Sequence, residues 1–277
     1  MLKFTNDTAK QISDMDDLLS NVEVGRLAGV GPTAVKRWAD QGLLPCVRTA
    51  GGHRRFHRGE VEKFLLTTRG SGGSAFVDLL LQTDGLGVEA RLLTERSRLG
   101  SWLAVTEMLG EALSELGRRW RDGSVTIVQE HLASGRLSRA LARIGDALPV
   151  APGAPRCMLA CAEGDRHALG LSLVEVALRE AGWATLWAGQ DTPAADLAEV
   201  ARQGEAEMIA VSASAASTEP EALLRQAQVL GAACSKSGVA LAYGGSGAWP
   251  DRPPGGERFH ELAPFVARAR ELAQAAQ

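Results

Sequence analysis

No run of about 18 apolar residues without charge occurs in these 277 residues, so no segment has the composition of a membrane-spanning helix. The opening stretch, MLKFTNDTAKQISDMDD, lacks an apolar core of signal-peptide length. Cysteine is scarce. Cys46, Cys157, Cys161 and Cys234 are scattered through a chain long enough to bury a real core, a pattern expected of a reduced, cytoplasmic protein rather than a disulfide scaffold. Internal repeats are absent. So is a large charge excess: 30 basic residues face 33 acidic ones, for a net of −3. With 45% apolar and 23% charged residues, the chain is excluded from the disordered, coiled-coil and collagen-like classes. At roughly 100–200 residues per domain, the length allows about two domains, or three small ones.

The near-neutral total conceals an asymmetry. Residues 21–69 hold nine basic and four acidic residues, a net of +5, which leaves −8 for the remainder. A small basic module on an acidic body is the footprint of a polyanion-binding head. Composition divides the rest. Residues 1–20 read as a polar arm. Residues 70–74, GSGGS, read as a flexible linker. Residues 75–148 are rich in Leu and Ala at helical spacing, and PVAPGAP at 149–155 is a second linker. From 156 onward strand-like and helix-like runs alternate, which predicts a parallel sheet of βα units.

In the basic module, Asn21 is an N-cap candidate for a helix that turns Val22, Val24, Leu27 and Val30 toward a core. Gly29 and Gly31 break it. Pro32 suits the first turn of a second helix ending at Gly42. Two short helices about a glycine-containing turn make a helix-turn-helix pattern. On the second helix Val35 and Trp38 face inward, and Thr33, Lys36 and Arg37 face out. CVRTAGGHRRF then predicts two short strands about Gly51-Gly52, carrying Arg48, His53, Arg54 and Arg55. Charges of one sign on both a helix and a hairpin tip point to DNA contact. GRLAGVGPTAVKRWADQGLLP followed by RTAGGHRRF resembles the winged helix-turn-helix of MerR-type and excisionase-type regulators. The resemblance implies that the second helix reads the major groove while the wing holds phosphates.

The last segment begins with an apolar run, Cys157 to Ala162, that suits a buried strand. Asp165 and His167 follow on the loop at its C-terminal end, where ligands bind in open α/β folds. A neutral imidazole there can ligate a metal, and a carboxylate two residues earlier can accept its other ring N–H. Asp165-x-His167-x-x-Gly170 after a strand resembles the cobalamin-binding motif, in which the histidine takes the place of the nucleotide base beneath cobalt. By that resemblance His167 is the lower axial ligand. Serines at the end of a later strand, Ser212 and Ser214, would hydrogen-bond the nucleotide tail, and Gly244 and Gly245 would admit it. Ser212-Ala213-Ser214 departs from the usual Ser-x-Leu, which leaves open which hydroxyl serves.

Within the helical segment, Trp120, nine residues, then Glu130-His131 flank a break at Gly123-Ser124, with Ser124 as the candidate cap of the second helix. Trp-x9-Glu-His ahead of a cobalamin motif resembles the four-helix cap of CarH-type photoreceptors, in which the Trp covers the upper axial group and Glu and His line the adenosyl pocket. In those relatives a histidine follows the Trp. Here that position is Arg121, which cannot ligate cobalt.

The fold class is therefore expected to be multidomain α and α/β: a winged helix-turn-helix at 21–69, a four-helix cap at 75–148 and a Rossmann-like parallel-sheet domain at 156–277. The resemblance implies a cytoplasmic, non-enzymatic, light-responsive regulator, a repressor using adenosylcobalamin and double-stranded operator DNA, assembled in the dark as a homo-oligomer, a tetramer. Haem binding, a cofactor-independent redox or partner response, and a corrinoid carrier module are the alternatives.

Overall fold

A computed structural model describes residues 17–275, apart from 29–31, 41, 50, 69–72 and 84. Contacts divide the chain into two compact units, Met1–Ser101 with Met108–Leu137 and Trp102–Glu107 with Ser138–Gln277.

The first unit opens with strand β1 (Leu18–Ser20), helices α1 (Asn21–Ala28) and α2 (Pro32–Asp40), the hairpin β2 (Val47–Arg48) and β3 (Arg54–His57), and helix α3 (Arg58–Thr68). The three strands form an antiparallel sheet in the order β1-β3-β2. Leu18–Ser20 thus join the sheet rather than the polar arm. Ser20, not Asn21, caps α1: its hydroxyl accepts the Glu23 N–H at 3.3 Å, and the Glu23 carboxylate accepts the Ser20 N–H at 2.8 Å. This reciprocal capping box satisfies two donors that the helix leaves open. Val24, Val35, Trp38, Leu44, Phe56, Val61 and Leu65 fill the core with Leu19. Val22 and Leu27, expected inside, are exposed, because a helix of 8 residues turns only one narrow face inward. Gly29, Val30 and Gly31 lie outside the described residues.

Four helices follow: α4 (Gly73–Gln82), α5 (Gly85–Leu99), α6 (Trp102–Arg121) and α7 (Ile127–Ala147). Gly73 and Ser74, expected in the linker, open α4. A Cβ on Gly73 would stand 3.1 Å from the Ala112 nitrogen, so glycine lets α4 approach α6 closely. Arg119 on α6 holds α4 through Asp78 and the Ser74 hydroxyl, each at 2.6 Å. Arg136 on α7 donates to the Leu80 carbonyl at 2.7 Å. Thr126 caps α7, exchanging hydrogen bonds with Gln129 at 2.9 and 3.3 Å. Ser124 instead donates to the Arg119 carbonyl and to Asp122, closing the turn after α6.

In the second unit the elements are β4 (Arg156–Cys161), α8 (Leu169–Glu180), β5 (Ala184–Gly189), α9 (Ala194–Gln203), β6 (Met208–Ser212), α10 (Pro220–Ser237), β7 (Ala240–Gly244), β8 (Glu257–Arg258) and α11 (Leu262–Ala275). The strands form a parallel sheet in the order β5-β4-β6-β7-β8. One face packs on α9 and α10 through Ala160, Ile209, Val211, Leu223 and Leu230. The other packs on α8 and α11 through Leu159, Leu171, Leu178, Phe265 and Val266. Strand order reverses between β4 and β6. The C-terminal edge of the strands at such a switch point is where doubly wound folds form the crevice that binds ligands. Among the described residues no helix is long and apolar enough to cross a membrane.

Candidate functional site

Both loops at the switch point meet on one carboxylate. The Asp165 side chain, on the loop after β4, is shut off from solvent. One oxygen accepts the His167 backbone N–H at 2.8 Å and lies 3.0 Å from His167 Nδ1. From the loop after β6, the Ser214 N–H and the Ser217 hydroxyl, at 2.8 Å, donate to the other oxygen, and the Ser214 hydroxyl donates to the first at 3.1 Å. Burial works to raise the Asp165 pKa. The hydrogen bonds from Ser214, His167 and Ser217 outweigh it and hold the group at about 2. An ionised acceptor beside Nδ1 keeps the proton on that nitrogen and leaves the Nε2 lone pair available. The His167 ring is itself 66% exposed, and among the described residues Nε2 makes no hydrogen bond.

A third loop, after β5, completes the edge. The Asp191 N–H donates to the Asp165 carbonyl at 2.8 Å, and its carboxylate accepts the Gly164 N–H at 2.6 Å. Asp191 adopts φ +48, an uncommon conformation for a residue with a side chain, held by these two bonds. Ser217 and Asp191 are site residues that sequence reasoning did not single out. Ser217 belongs to the run Ser212-Ala-Ser214-Ala-Ala-Ser217 after a strand, which could have drawn attention to it. Asp191 carried no signal beyond its place in a turn.

Of the expected tail-contacting residues, Ser214 is committed to Asp165 and His167, while Ser212 ends β6 half-buried. Gly245 has φ +85, and a Cβ there would lie 2.2 Å from the Ala213 carbonyl oxygen, so the fold itself requires glycine. Gly170 and Gly244 differ. A Cβ on Gly170 would meet nothing within 4 Å, and one on Gly244 would touch only the Phe259 carbonyl at 3.9 Å. Neither glycine is demanded by the protein's own packing, and both flank the crevice. The donor set, one imidazole nitrogen with its ring fixed by a carboxylate, beside open backbone, fits a flat macrocycle with an axial metal.

In the first unit, Trp120 lies one residue from the end of α6 and is 48% exposed, a high value for so large an apolar ring. Glu130 and His131 lie in the first turns of α7. Glu130 accepts the Ser134 hydroxyl, and His131 is exposed 3.7 Å from Glu130. Ile127, Val128 and Leu132 are exposed on the same stretch. Trp120 among the arginines that end α6, and Ile127, Val128 and Leu132 at the start of α7, are therefore apolar side chains left uncovered within their unit. Arg121 is exposed beside Trp120.

On the head, Thr33, Lys36 and Arg37 share an exposed face of α2, and Arg48 and His53 are exposed on the wing. Arg54 is not free in the same way: it is ion-paired with Asp40 at the end of α2, with its side chain only 17% exposed. Arg55 is half-buried and donates to the Arg54 carbonyl at 3.3 Å. Arg54 thus braces the wing against α2, a role its sequence position did not reveal.

Three stretches match known families. Residues 18–69 match a helix-turn-helix domain, and residues 75–144 and 155–252 each match a B12 binding domain. The chain is a modular cobalamin-binding protein with a helix-turn-helix head. The HTH-type transcriptional repressor CarA of Myxococcus xanthus is 28% identical over 228 residues, 68% of this chain and 74% of that protein. The HTH-type transcriptional repressor CarH of the same organism is 36% identical over 95 residues, 34% of this chain and 31% of that protein. Among solved structures, the monomethylamine corrinoid protein of Methanosarcina barkeri aligns with a TM-score of 0.52 at 17% identity, covering 73% of this chain and 96% of that one, a likeness of fold. By domain content and order, this chain is a CarH-type cobalamin-binding transcriptional regulator.

Proposed function

We propose that the chain is a light-responsive repressor that binds adenosylcobalamin with His167 Nε2 as the lower ligand of cobalt. One observation carries this reading: at the switch point the buried Asp165 carboxylate lies 3.0 Å from His167 Nδ1, where it favours the proton on that nitrogen, and among the described residues Nε2 makes no hydrogen bond. Ser214 and Ser217 hold Asp165 ionised and in place. Gly170 and Gly244 leave room for the ring and its tail, with Ser212 as the remaining strand-end hydroxyl. When bound, the cofactor supplies a light-cleavable cobalt–carbon bond to its adenosyl group. By the resemblance Trp120 would cover that upper group and Glu130 and His131 would line its pocket; the exposure of Trp120 and His131 within the first unit supports this role.

The head binds operator DNA through Thr33, Lys36 and Arg37 in the major groove and Arg48 and His53 on the backbone, with Arg54 and Arg55 shaping the wing. Repression is the direction proposed because both curated relatives are named repressors. In the dark the chain assembles as a homo-oligomer, taken as a tetramer, in the cytoplasm. Linked heads gain avidity from effective concentration, so dispersal by light weakens DNA binding without changing a single base contact.

The test is an absorption spectrum and a gel shift on the same sample, with adenosylcobalamin, before and after illumination. A cofactor spectrum that changes with light, together with DNA binding that falls, supports the reading. Uptake of haem but not cobalamin, or DNA binding indifferent to both cofactor and light, overturns it.

A further inference from the structure

Helix α8 begins two residues after His167 and ends on a pair of opposite charges, Arg179-Glu180. Each member grips a different helix end. The Glu180 carboxylate accepts the backbone N–H groups of Trp102 at 2.7 Å and Leu103 at 3.4 Å. These are first-turn donors of α6, which the helix cannot satisfy internally and which form its positive end. Arg179 Nη1 donates to the Gly145 carbonyl at 2.9 Å, in the last turn of α7, the negative end of that helix. The guanidinium is itself braced: Nε donates to the Thr185 hydroxyl on β5 at 2.7 Å, and Nη2 lies 3.6 Å from Glu175. Both charges thus match the helix dipoles they meet. Only helices α6 and α7 carry the residues assigned to the upper side of the cofactor, at the ends opposite those that α8 holds.

We infer that the Arg179-Glu180 pair is the joint through which α8 passes the state of the His167 loop to helices α6 and α7. The inference rests on the cobalamin reading above. An α-helix of 12 residues is a stiff rod of about 18 Å, so displacement at its start reaches its end. A pair of charge-assisted bonds to two helix termini is a coupling that can be kept or lost as a unit. Arg179 and Glu180 are positioning residues. Neither touches the crevice, so removing them leaves cofactor binding intact while cutting its effect on the head.

The experiment uses full-length protein as wild type, Glu180→Ala, Glu180→Gln and Arg179→Met, each titrated with adenosylcobalamin and with a DNA fragment it binds. In wild type the cofactor is expected to change DNA affinity by about 5–150-fold, the usual range for two coupled sites. In Glu180→Ala and Arg179→Met the cofactor spectrum and affinity stay within about twofold of wild type, while the DNA-affinity ratio falls to near one. Glu180→Gln keeps an acceptor oxygen and restores part of the ratio, which a merely general loss of stability would not. Hydrogen exchange on the wild type guards against a variant that fails to fold: the Trp102 and Leu103 amides are expected to gain protection when adenosylcobalamin is added. A full ratio in the variants, cofactor affinity lost in step with it, or exchange at these amides unmoved by the cofactor overturns the inference. Wild type that takes up no cobalamin overturns the functional reading instead.

Discussion

Asp165 keeps its carboxylate out of solvent 3.0 Å from Nδ1 of His167, whose own side chain faces solvent over two-thirds of its area. A buried charge thus directs an exposed ring. The burial makes the hold rigid, and the exposure leaves the second nitrogen free to bind.

Asp165→Asn preserves shape but removes the charge that fixes the imidazole tautomer. Cobalamin affinity is expected to fall by about 10–100-fold, as for other partners of a metal-bound histidine. His167→Ala is expected to lose more, together with the spectrum of imidazole-ligated cobalt. A titration followed by absorbance checks both; a further loss from Asp165→Asn in the His167→Ala background would mean that Asp165 acts by some route other than His167.

Asp165 also gives the protein an acid-dependent stability. Its folded pKa of about 2 lies below the ordinary 3.8, so its contribution is present above pH 3.8 and is lost as pH falls through the folded value. The size is roughly 2 kcal/mol at neutral pH. Denaturant unfolding of cofactor-free protein between pH 5 and pH 2 is expected to show this loss in wild type and a flatter pH dependence in Asp165→Asn.

On the head, Arg54 and Arg48 are expected to separate. Arg48→Ala weakens binding to all DNA and lowers the salt slope by about one. Arg54→Ala also breaks the ion pair with Asp40 and costs the head about 0.5–1 kcal/mol. Asp40→Ala reproduces the stability loss without removing a positive charge. Lys36→Ala or Arg37→Ala costs more on operator than on random DNA. Thermal melts and salt-dependent binding curves check these outcomes.

Much of this architecture is legible because its signals are local. The runs at 157–161, 208–212 and 240–244 are short, apolar and followed by small residues, which places three strands and the loops at their ends. Asp165-x-His167 lies on one loop, so its pairing needs nothing distant. What sequence conceals is contact at a distance. Ser217 reaches Asp165 across 52 positions, and Gly164 meets Asp191 across 27. Strand β1 is three residues that become a strand only by pairing with β3. Arg54 reads as a phosphate contact until α2 brings Asp40 to it. Helix starts were misplaced by one or two residues because Ser20 and Asn21, or Ser124 and Thr126, are all good cap types. The partner three residues on, Glu23 or Gln129, selects between them.

Arg121 makes a prediction about the illuminated protein. A guanidinium offers no lone pair to cobalt. Illuminated wild type is therefore expected to exchange added cyanide or imidazole readily, and Arg121→His to resist exchange. His131→Ala distinguishes its two roles: a changed spectrum after light marks a ligand, and weakened dark assembly with an unchanged spectrum marks a pocket residue.

The central claim, that His167 holds cobalt, is tested most directly by electron paramagnetic resonance of the cob(II)alamin-loaded protein carrying 15N-histidine. Ligation by His167 predicts that the axial-nitrogen splitting becomes a doublet in labelled wild type, remains a triplet in unlabelled protein, and loses the doublet in labelled His167→Ala. A triplet that persists in labelled wild type would show that the cofactor keeps its own nucleotide base on cobalt, and would contradict the account.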